Sequence, residues 1–266
     1  MHSALCERGT MDLPVESSLD EIFSQLALTG SNDPPVLSRK VLFWGEGAGE
    51  ISSYITGWMA GQGMDVVVLD GANRFDPYVV SSFAKKASIP PENLLKKIRI
   101  ARAFTCYQMA TLVEEKLIAL LRQEEAISQT HKLWVILLGP ITTFLDEDVP
   151  ERETRPLFER MLRKMEEMAM DRISFFLFQP NSSFTKVGTT RNRGGARGFV
   201  NSKRAFLERR LFQISTAVWR IHWEEEGAKL VLEKGVNSVI PVKTGIQVKK
   251  FGFPASSAGQ ALLPQE

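Results

Sequence analysis

The pattern of apolar and polar positions switches repeatedly between two periods. Short unbroken apolar runs recur at "KVLFWG" (40–45), "MDVVVLDG" (64–71), "KLWVILLG" (132–139) and "RISFFLFQ" (172–179). Such runs lack polar alternation, which predicts strands buried on both faces, the habit of parallel sheets. A weaker strand is expected near Ile98–Ala101. Between the runs, apolar residues recur at helical spacing. "ISSYITGWMAGQG" (51–63) predicts a helix ending at glycines, and "FDPYVVSSFAKKASI" (75–89) one with Pro77 in its first turn. "QMATLVEEKLIALLRQEEA" (108–126) predicts a long amphipathic helix. "RPLFERMLRKMEEMAM" (155–170) puts Leu157, Phe158, Met161, Leu162, Met165 and Met168 on one face. That methionine stripe reads as core, because methionine fills irregular gaps.

Near the N-terminus, "SSLDEIFSQLAL" (17–28) predicts a short helix: Ser18 and Glu21 have capping-box spacing, and Leu19, Ile22, Phe23 and Leu26 share a face. "LFQISTAVWRIHWEEEGAKLVLEKG" (211–235) predicts two strands joined at "EEEGAK". After Gly235 the periodicity stops. "VIPVKTGIQ" (239–247) resembles a translated intergenic repeat, and the other reading is an ordinary flexible tail; both predict disorder. The expected organisation is a flexible segment over 1–15, one core domain over 16–235 and a disordered tail over 236–266. The alternation of strands and helices predicts an α/β core, mostly a parallel sheet with helices on both faces and a C-terminal antiparallel hairpin.

Composition narrows this picture. The chain has 266 residues, 44% of them apolar, enough for a large core and against global disorder. Cys6 and Cys106 are the two cysteines, with neither a disulfide framework nor zinc spacing, which fits a reducing, cytoplasmic compartment. No apolar run approaches the roughly 18 residues that span a bilayer. The N-terminus lacks the basic-then-apolar order of a signal peptide, so no membrane role is expected. His131 and His222 have no metal-ligand neighbours in sequence and read as ordinary residues.

The segment after the first strand, "GEGAGEISS" (45–53), raises the question of nucleotide binding. A working phosphate loop needs G-x-x-x-x-G-K-[ST]: backbone N–H groups cradle phosphates, lysine reaches the outer oxygens and a hydroxyl holds Mg²⁺. Aligned on Gly45, Gly47 and Gly49 fall inside the loop, Glu50 stands at the second glycine, Ile51 at the lysine and Ser52 at the hydroxyl. Shifting the frame by one puts Glu50 at the lysine. Neither frame supplies a cation, and Glu46 and Glu50 would oppose a triphosphate. The loop reads as a dead nucleotide site kept as a scaffold turn, and an ordinary glycine turn in an unrelated α/β fold is the alternative.

Six segments in order resemble the core of the RecA/RadA recombinase family, closer to the RadA branch. They are "ESSLDEIF" (16–23), "GEGAGEISS", "VLDGANRFDPYVVSSFAKK" (68–86), "IRIARAFTCYQMATLVEE" (98–115), "LWVILLGPITTFL" (133–145) and "FFLFQPN" (175–181). The resemblance covers about residues 16–235. It implies a RecA-like, P-loop-type domain, a sensor-like role for Gln179 and a DNA-contacting loop after it. The departures weigh as much. Where the family has its water-activating glutamate the aligned residue is Ala72, and where it has the Mg²⁺-binding aspartate the aligned residue is Gly139. Lysine, base and metal ligand are all missing, so the resemblance implies a pseudo-ATPase with no catalytic residue, no cofactor and no metal. A rebuilt metal site from Asp70, Asp76 and Asp146 is the less favoured alternative, since acids beside strand ends usually cap turns.

The stretch 185–210 carries Lys186, Arg191, Arg193, Arg197, Lys203, Arg204, Arg209 and Arg210 against Glu208 alone. Its net charge of +7 within a chain of +2 leaves the remainder at −5. A glycine- and arginine-rich loop on an acidic body is an electrostatic footprint for a polyanion. Lys186, Arg191, Arg193, Arg197, Lys203 and Arg204 are the candidate nucleic-acid contacts; a solvated loop is the bland alternative. The expected function is a non-catalytic accessory factor in DNA recombination or repair that binds DNA without sequence preference, with a RecA-type recombinase or another protein as a possible partner. The alternatives are a weak NTPase with a non-standard phosphate loop and a protein-interaction scaffold.

Overall fold

The computed structural model describes residues 40–127, 133–171, 173–180, 196–224, 227–234 and 246–247. Within them the chain forms β1 (Lys40–Gly45), α1 (Ala48–Gly61), β2 (Asp65–Asp70), α2 (Pro77–Lys86), the single turn α3 (Pro91–Leu95) and β3 (Ile98–Arg102). A helical stretch follows: α4 (Cys106–Thr111), a π-helical segment (Leu112–Lys116) and α5 (Leu117–Ile127). Then come β4 (Leu133–Leu138), a 3-10 turn (Thr142–Leu145), α6 (Glu151–Met170), β5 (Ser174–Pro180), α7 (Ala196–Ile214) and the strands β6 (Ala217–Glu224), β7 (Gly227–Lys234) and β8 (Ile246–Gln247).

The strands form one sheet in the order β3-β2-β4-β5-β1-β6-β7-β8. All pairings from β3 across to β6 are parallel, and β6-β7 and β7-β8 are antiparallel. The architecture is α/β, mostly parallel, ending in an antiparallel pair.

Strand alternation sends successive side chains to opposite faces. Val41, Phe43, Val66, Val68, Ile136, Phe176 and Phe178 meet α1, α2 and α3 on one side. Leu42, Val67, Leu69, Val135, Leu137, Phe175 and Leu177 meet the helices from α4 to α7 on the other. Phe43 stacks on Phe178 at 5.0 Å and Trp134 on Phe176 at 5.2 Å between ring centroids. Met161, Met165 and Met168 are buried in the second layer, as the helical stripe predicts.

Two elements depart from the sequence reading. The stretch read as a basic loop to residue 210, followed by a strand from Leu211, is instead helical from Ala196 to Ile214. Leu207, Leu211 and Ile214 recur at helical spacing and are buried against the sheet, which holds the helix despite its glycine and arginine content. Ile246–Gln247 pairs with Lys229 and Leu230 of β7, where no element is expected. The expected helix over 17–28, His131, Lys186, Arg191 and Arg193 lie outside the described residues. Among the described residues no helix is long and apolar enough to cross a membrane.

Candidate functional site at the carboxyl end of β1

In parallel α/β sheets ligands bind beyond the carboxyl ends of the strands. Gly45–Gly49 sits there, at the end of β1, between the ends of β5 and β6. The connection to α1 is compressed: only Glu46 and Gly47 separate strand from helix. Gly47 takes a left-handed φ of +82° as the N-cap, and the Ile51 amide already donates to its carbonyl at 3.0 Å. Residues that would wrap a phosphate are therefore spent on the first helical turn. Glycines on either side are fixed by packing. A Cβ on Gly45 would lie 2.4 Å from the Ile221 carbonyl oxygen, and one on Gly49 2.9 Å from the Arg74 Cβ. Glu46 and Glu50 are exposed at this turn, and Ile51 is buried in the core under α1.

Ser52, the residue at the metal-binding hydroxyl position, is fully buried and donates to the Gly49 carbonyl at 2.7 Å. Its neighbour Ser53 donates to the same carbonyl at 3.1 Å and accepts from the Asp76 amide at 2.9 Å, tying α1 to the turn before α2. That turn is organised by Asp70, also fully buried. Its carboxylate accepts from the amides of Ala72 (3.2 Å), Arg74 (3.3 Å) and Phe75 (3.1 Å) and lies 3.6 Å from the Arg102 guanidinium. Asp76 caps α2 by accepting from the Tyr78 amide, and Asp146 accepts from the Asp148 amide. The three aspartates of the alternative metal site thus serve separate turns. Among the described residues no group of three or more His, Cys, Asp or Glu is placed to hold a metal.

Ala72 and Gly139, the positions where the resembled family carries acids, come together. Gly139, at the end of β4, has φ +70°, and a Cβ there would lie 2.6 Å from the Ala72 Cβ and 2.7 Å from the Thr142 hydroxyl. The space where two acidic side chains would converge is closed by small residues in van der Waals contact. Gln179, at the end of β5, is 7% exposed. Its side-chain oxygen accepts from the Ile141 amide (3.2 Å), and its nitrogen donates to the Pro180 carbonyl (3.0 Å). It fixes the turn after β4 to the end of β5.

Two of the candidate nucleic-acid contacts have described side chains, and neither is a loop cation. Lys203 is 8% exposed, and its ammonium donates to the carbonyls of Asp146 (2.6 Å) and Val149 (2.9 Å). Burial pushes its pKa below the ordinary lysine value. Lys203 is thereby corrected from a phosphate contact to an internal tie between α7 and the turn before α6. Arg204 pairs with Glu208 at 2.8 Å along α7. The backbone of Arg197 lies in the first turn of α7. His222 is exposed.

Beside the β1 turn lies a feature the sequence reading missed. A cavity of about 110 Å³ opens between the ends of β1 and β5 and α7, lined by Leu42, Trp44, Gln179, Pro180, Arg204, Glu208, Leu211 and Phe212. Its residues come from segments far apart in the chain, and only the tryptophan ending the "KVLFW" run hints at it.

No protein-family model matches the chain, and no curated protein sequence matches it.

Proposed function

We propose that this protein is a non-catalytic, RecA/RadA-like accessory factor of DNA recombination or repair that holds nucleic-acid backbone on the basic segment after β5. The observation that carries the reading is a contrast of charge between the sequence segments that follow two neighbouring strands. The β1 turn carries two exposed carboxylates, Glu46 and Glu50, and none of its own residues is a cation. The neighbouring β5 end leads directly into Lys186, Arg191, Arg193 and Arg197, with no acid between residues 181 and 207. The segment order, a glycine turn at the carboxyl end of β1 and the mostly parallel sheet support the RecA-like reading of the fold. Phosphoryl transfer rests on positioned charge, and each such group supplies about 3–4 kcal/mol to the transition state. With lysine, base and metal ligand absent, ATP turnover is expected to stay at background.

The test is fluorescence anisotropy with a labelled oligonucleotide over a salt series, beside a phosphate-release assay with Mg²⁺-ATP. Phosphate contacts predict a log–log salt slope near −0.7 per contact for single strands. Replacing Arg191, Arg193 and Arg197 with alanine is expected to weaken all sequences equally and make the slope shallower by about 2. Absence of binding at low salt, or an unchanged triple variant, sinks the reading in favour of a protein scaffold. Mg²⁺-dependent phosphate release abolished by Ser52→Ala would promote the NTPase reading instead.

A further inference from the structure

We propose that the surface formed by Phe104, Tyr107 and the acidic turn before α6 docks an arginine-bearing segment of a partner protein. Every residue of this surface is described, none belongs to the segment after β5, and the surface is independent of the nucleic-acid reading.

Two exposed aromatic rings flank the start of α4. Thr105 caps the helix by accepting from the Gln108 amide at 3.2 Å, and the Gln108 side chain accepts from the Phe104 amide at 2.8 Å. This reciprocal cap fixes the backbone of Phe104 just before the helix. An apolar residue there commonly folds over the fourth helical residue. That residue is Met109, which is already fully buried, and Phe104 remains 67% exposed. Tyr107, in the first turn, is 49% exposed, and its hydroxyl donates to Glu153 at 2.8 Å. This bond ties α4 to the first turn of α6 and puts an aromatic ring and a carboxylate on one surface. Exposed apolar groups gathered beside polar ones mark interaction sites more often than single exposed residues do.

Charge selects the occupant. Residues 146–153 carry Asp146, Glu147, Asp148, Glu151 and Glu153 against Arg152 alone. Negative charge at a helix N-terminus offsets the helix dipole, which accounts for Glu151 and Glu153. It does not account for Glu147 and Asp148. Both are exposed, and among the described residues neither carboxylate has a hydrogen-bond or ion-pair partner. The buried Lys203 ammonium acts on Glu147 at longer range but is engaged by the Asp146 and Val149 carbonyls. Arg102, two residues before Phe104, is engaged by Asp70 and the Phe75 carbonyl. A phosphate chain is repelled by such a surface. A guanidinium suits both of its components, because its plane stacks on an aromatic ring while its fork pairs a carboxylate. A lysine ammonium is a point charge without that plane. The same combination occurs within this protein, where the Arg155 guanidinium lies 4.4 Å from the Phe206 ring centroid while donating to Glu151 at 2.8 Å.

The experiment titrates the full chain at low salt with two labelled peptides of equal length and charge, one alternating arginine with glycine and one alternating lysine with glycine. A difference between them reports the guanidinium plane. The arginine peptide should bind about two- to five-fold more tightly, the range of a cation–π contact at an exposed site. Phe104→Ala combined with Tyr107→Ala, checked for folding by circular dichroism, should remove that preference. Glu147→Gln combined with Asp148→Asn should weaken both peptides, and added salt should do the same. Oligonucleotide affinity should not fall in either variant. Equal binding of the two peptides by the wild type overturns the proposal, and so does an arginine preference that survives loss of both rings. Peptide binding that is absent in the wild type and restored when Arg191, Arg193 and Arg197 are replaced with alanine would give the surface to the chain's own segment and overturn the separate partner. Absence of binding in both backgrounds overturns the surface itself. A fall in oligonucleotide affinity on loss of the rings would assign them to nucleic acid instead.

Discussion

Ala72 and Gly139 face each other so closely that a single methyl on Gly139 would overlap the Ala72 Cβ at 2.6 Å. They come from the ends of two adjacent strands, β2 and β4, and they are the two positions where the resembled family carries its catalytic acids. A side chain at Gly139 is thus excluded by the neighbouring strand end, whose Ala72 backbone nitrogen would also lie 2.8 Å away.

Gly139→Asp is the direct check. An aspartate there meets Ala72 and must adopt φ near +70°. Together the left-handed backbone and the overlap are expected to cost about 2–4 kcal/mol. Thermal or urea unfolding should show that loss, and a phosphate-release assay should show no gain of ATP turnover. A variant as stable as the wild type that hydrolyses ATP with Mg²⁺ would mean that the site is open and merely uncharged.

Lys203→Met separates structure from binding. The variant leaves the Asp146 and Val149 carbonyls without their donor, an expected loss of about 1–2 kcal/mol near neutral pH. The sign of the pH dependence follows from the lowered pKa of Lys203. The folded state gives up this proton before the unfolded chain does. Unfolding thus takes up a proton in the window just below the ordinary lysine pKa, and this group's contribution to stability rises with pH there. The stability gap between wild type and variant should widen as pH is raised through that window. The salt slope for oligonucleotide binding should stay the same in the variant; a shallower slope would return Lys203 to the contact set.

Glu159→Gln probes the joint between α6 and α7. The Arg210 guanidinium donates to both Glu159 oxygens, one at 2.7 Å, and this hydrogen bonding holds the Glu159 carboxyl below its ordinary value. A depressed carboxylate contributes stability above the ordinary glutamate range and loses it as pH falls through the folded value. Both side chains are about one-third exposed, so the contribution is screened to roughly 0.5–1 kcal/mol. Melting curves should separate wild type from variant at neutral pH and converge in acid. A separation that persists in acid would assign the effect to packing.

The sequence made the central strands legible because continuous runs such as Val66–Leu69 and Phe175–Phe178 have few uses outside a sheet covered on both faces. It placed Gly45–Gly49 at the end of β1 for the same reason. The start of α7 was hidden by its composition. Gly198 and Arg197 argue locally for a loop, and only burial of Leu207, Leu211 and Ile214 overrides them. Lys203 was misread because its partners are carbonyls more than fifty residues away, which no local charge count reveals. The Ala72–Gly139 contact belongs to the same class. Each residue reads as an absent acid under the resemblance, and only the meeting of two strand ends shows that a side chain at Gly139 would not fit.

The placement of β1 has a consequence for how the chain is made. β1 lies between β5 and β6, and Lys40 reaches Thr216 across 176 residues of sequence through hydrogen bonds in both directions. At synthesis rates of about 5–20 residues per second, β1 waits on the order of ten seconds after leaving the ribosome before either neighbour exists. During that interval β2, β3 and β4 can already pair, while Val41–Trp44 remains an open apolar edge. The strand that carries the candidate site is thus among the first made and stays unenclosed until β6 exists, and the nascent chain depends on whatever shields that edge in the meantime.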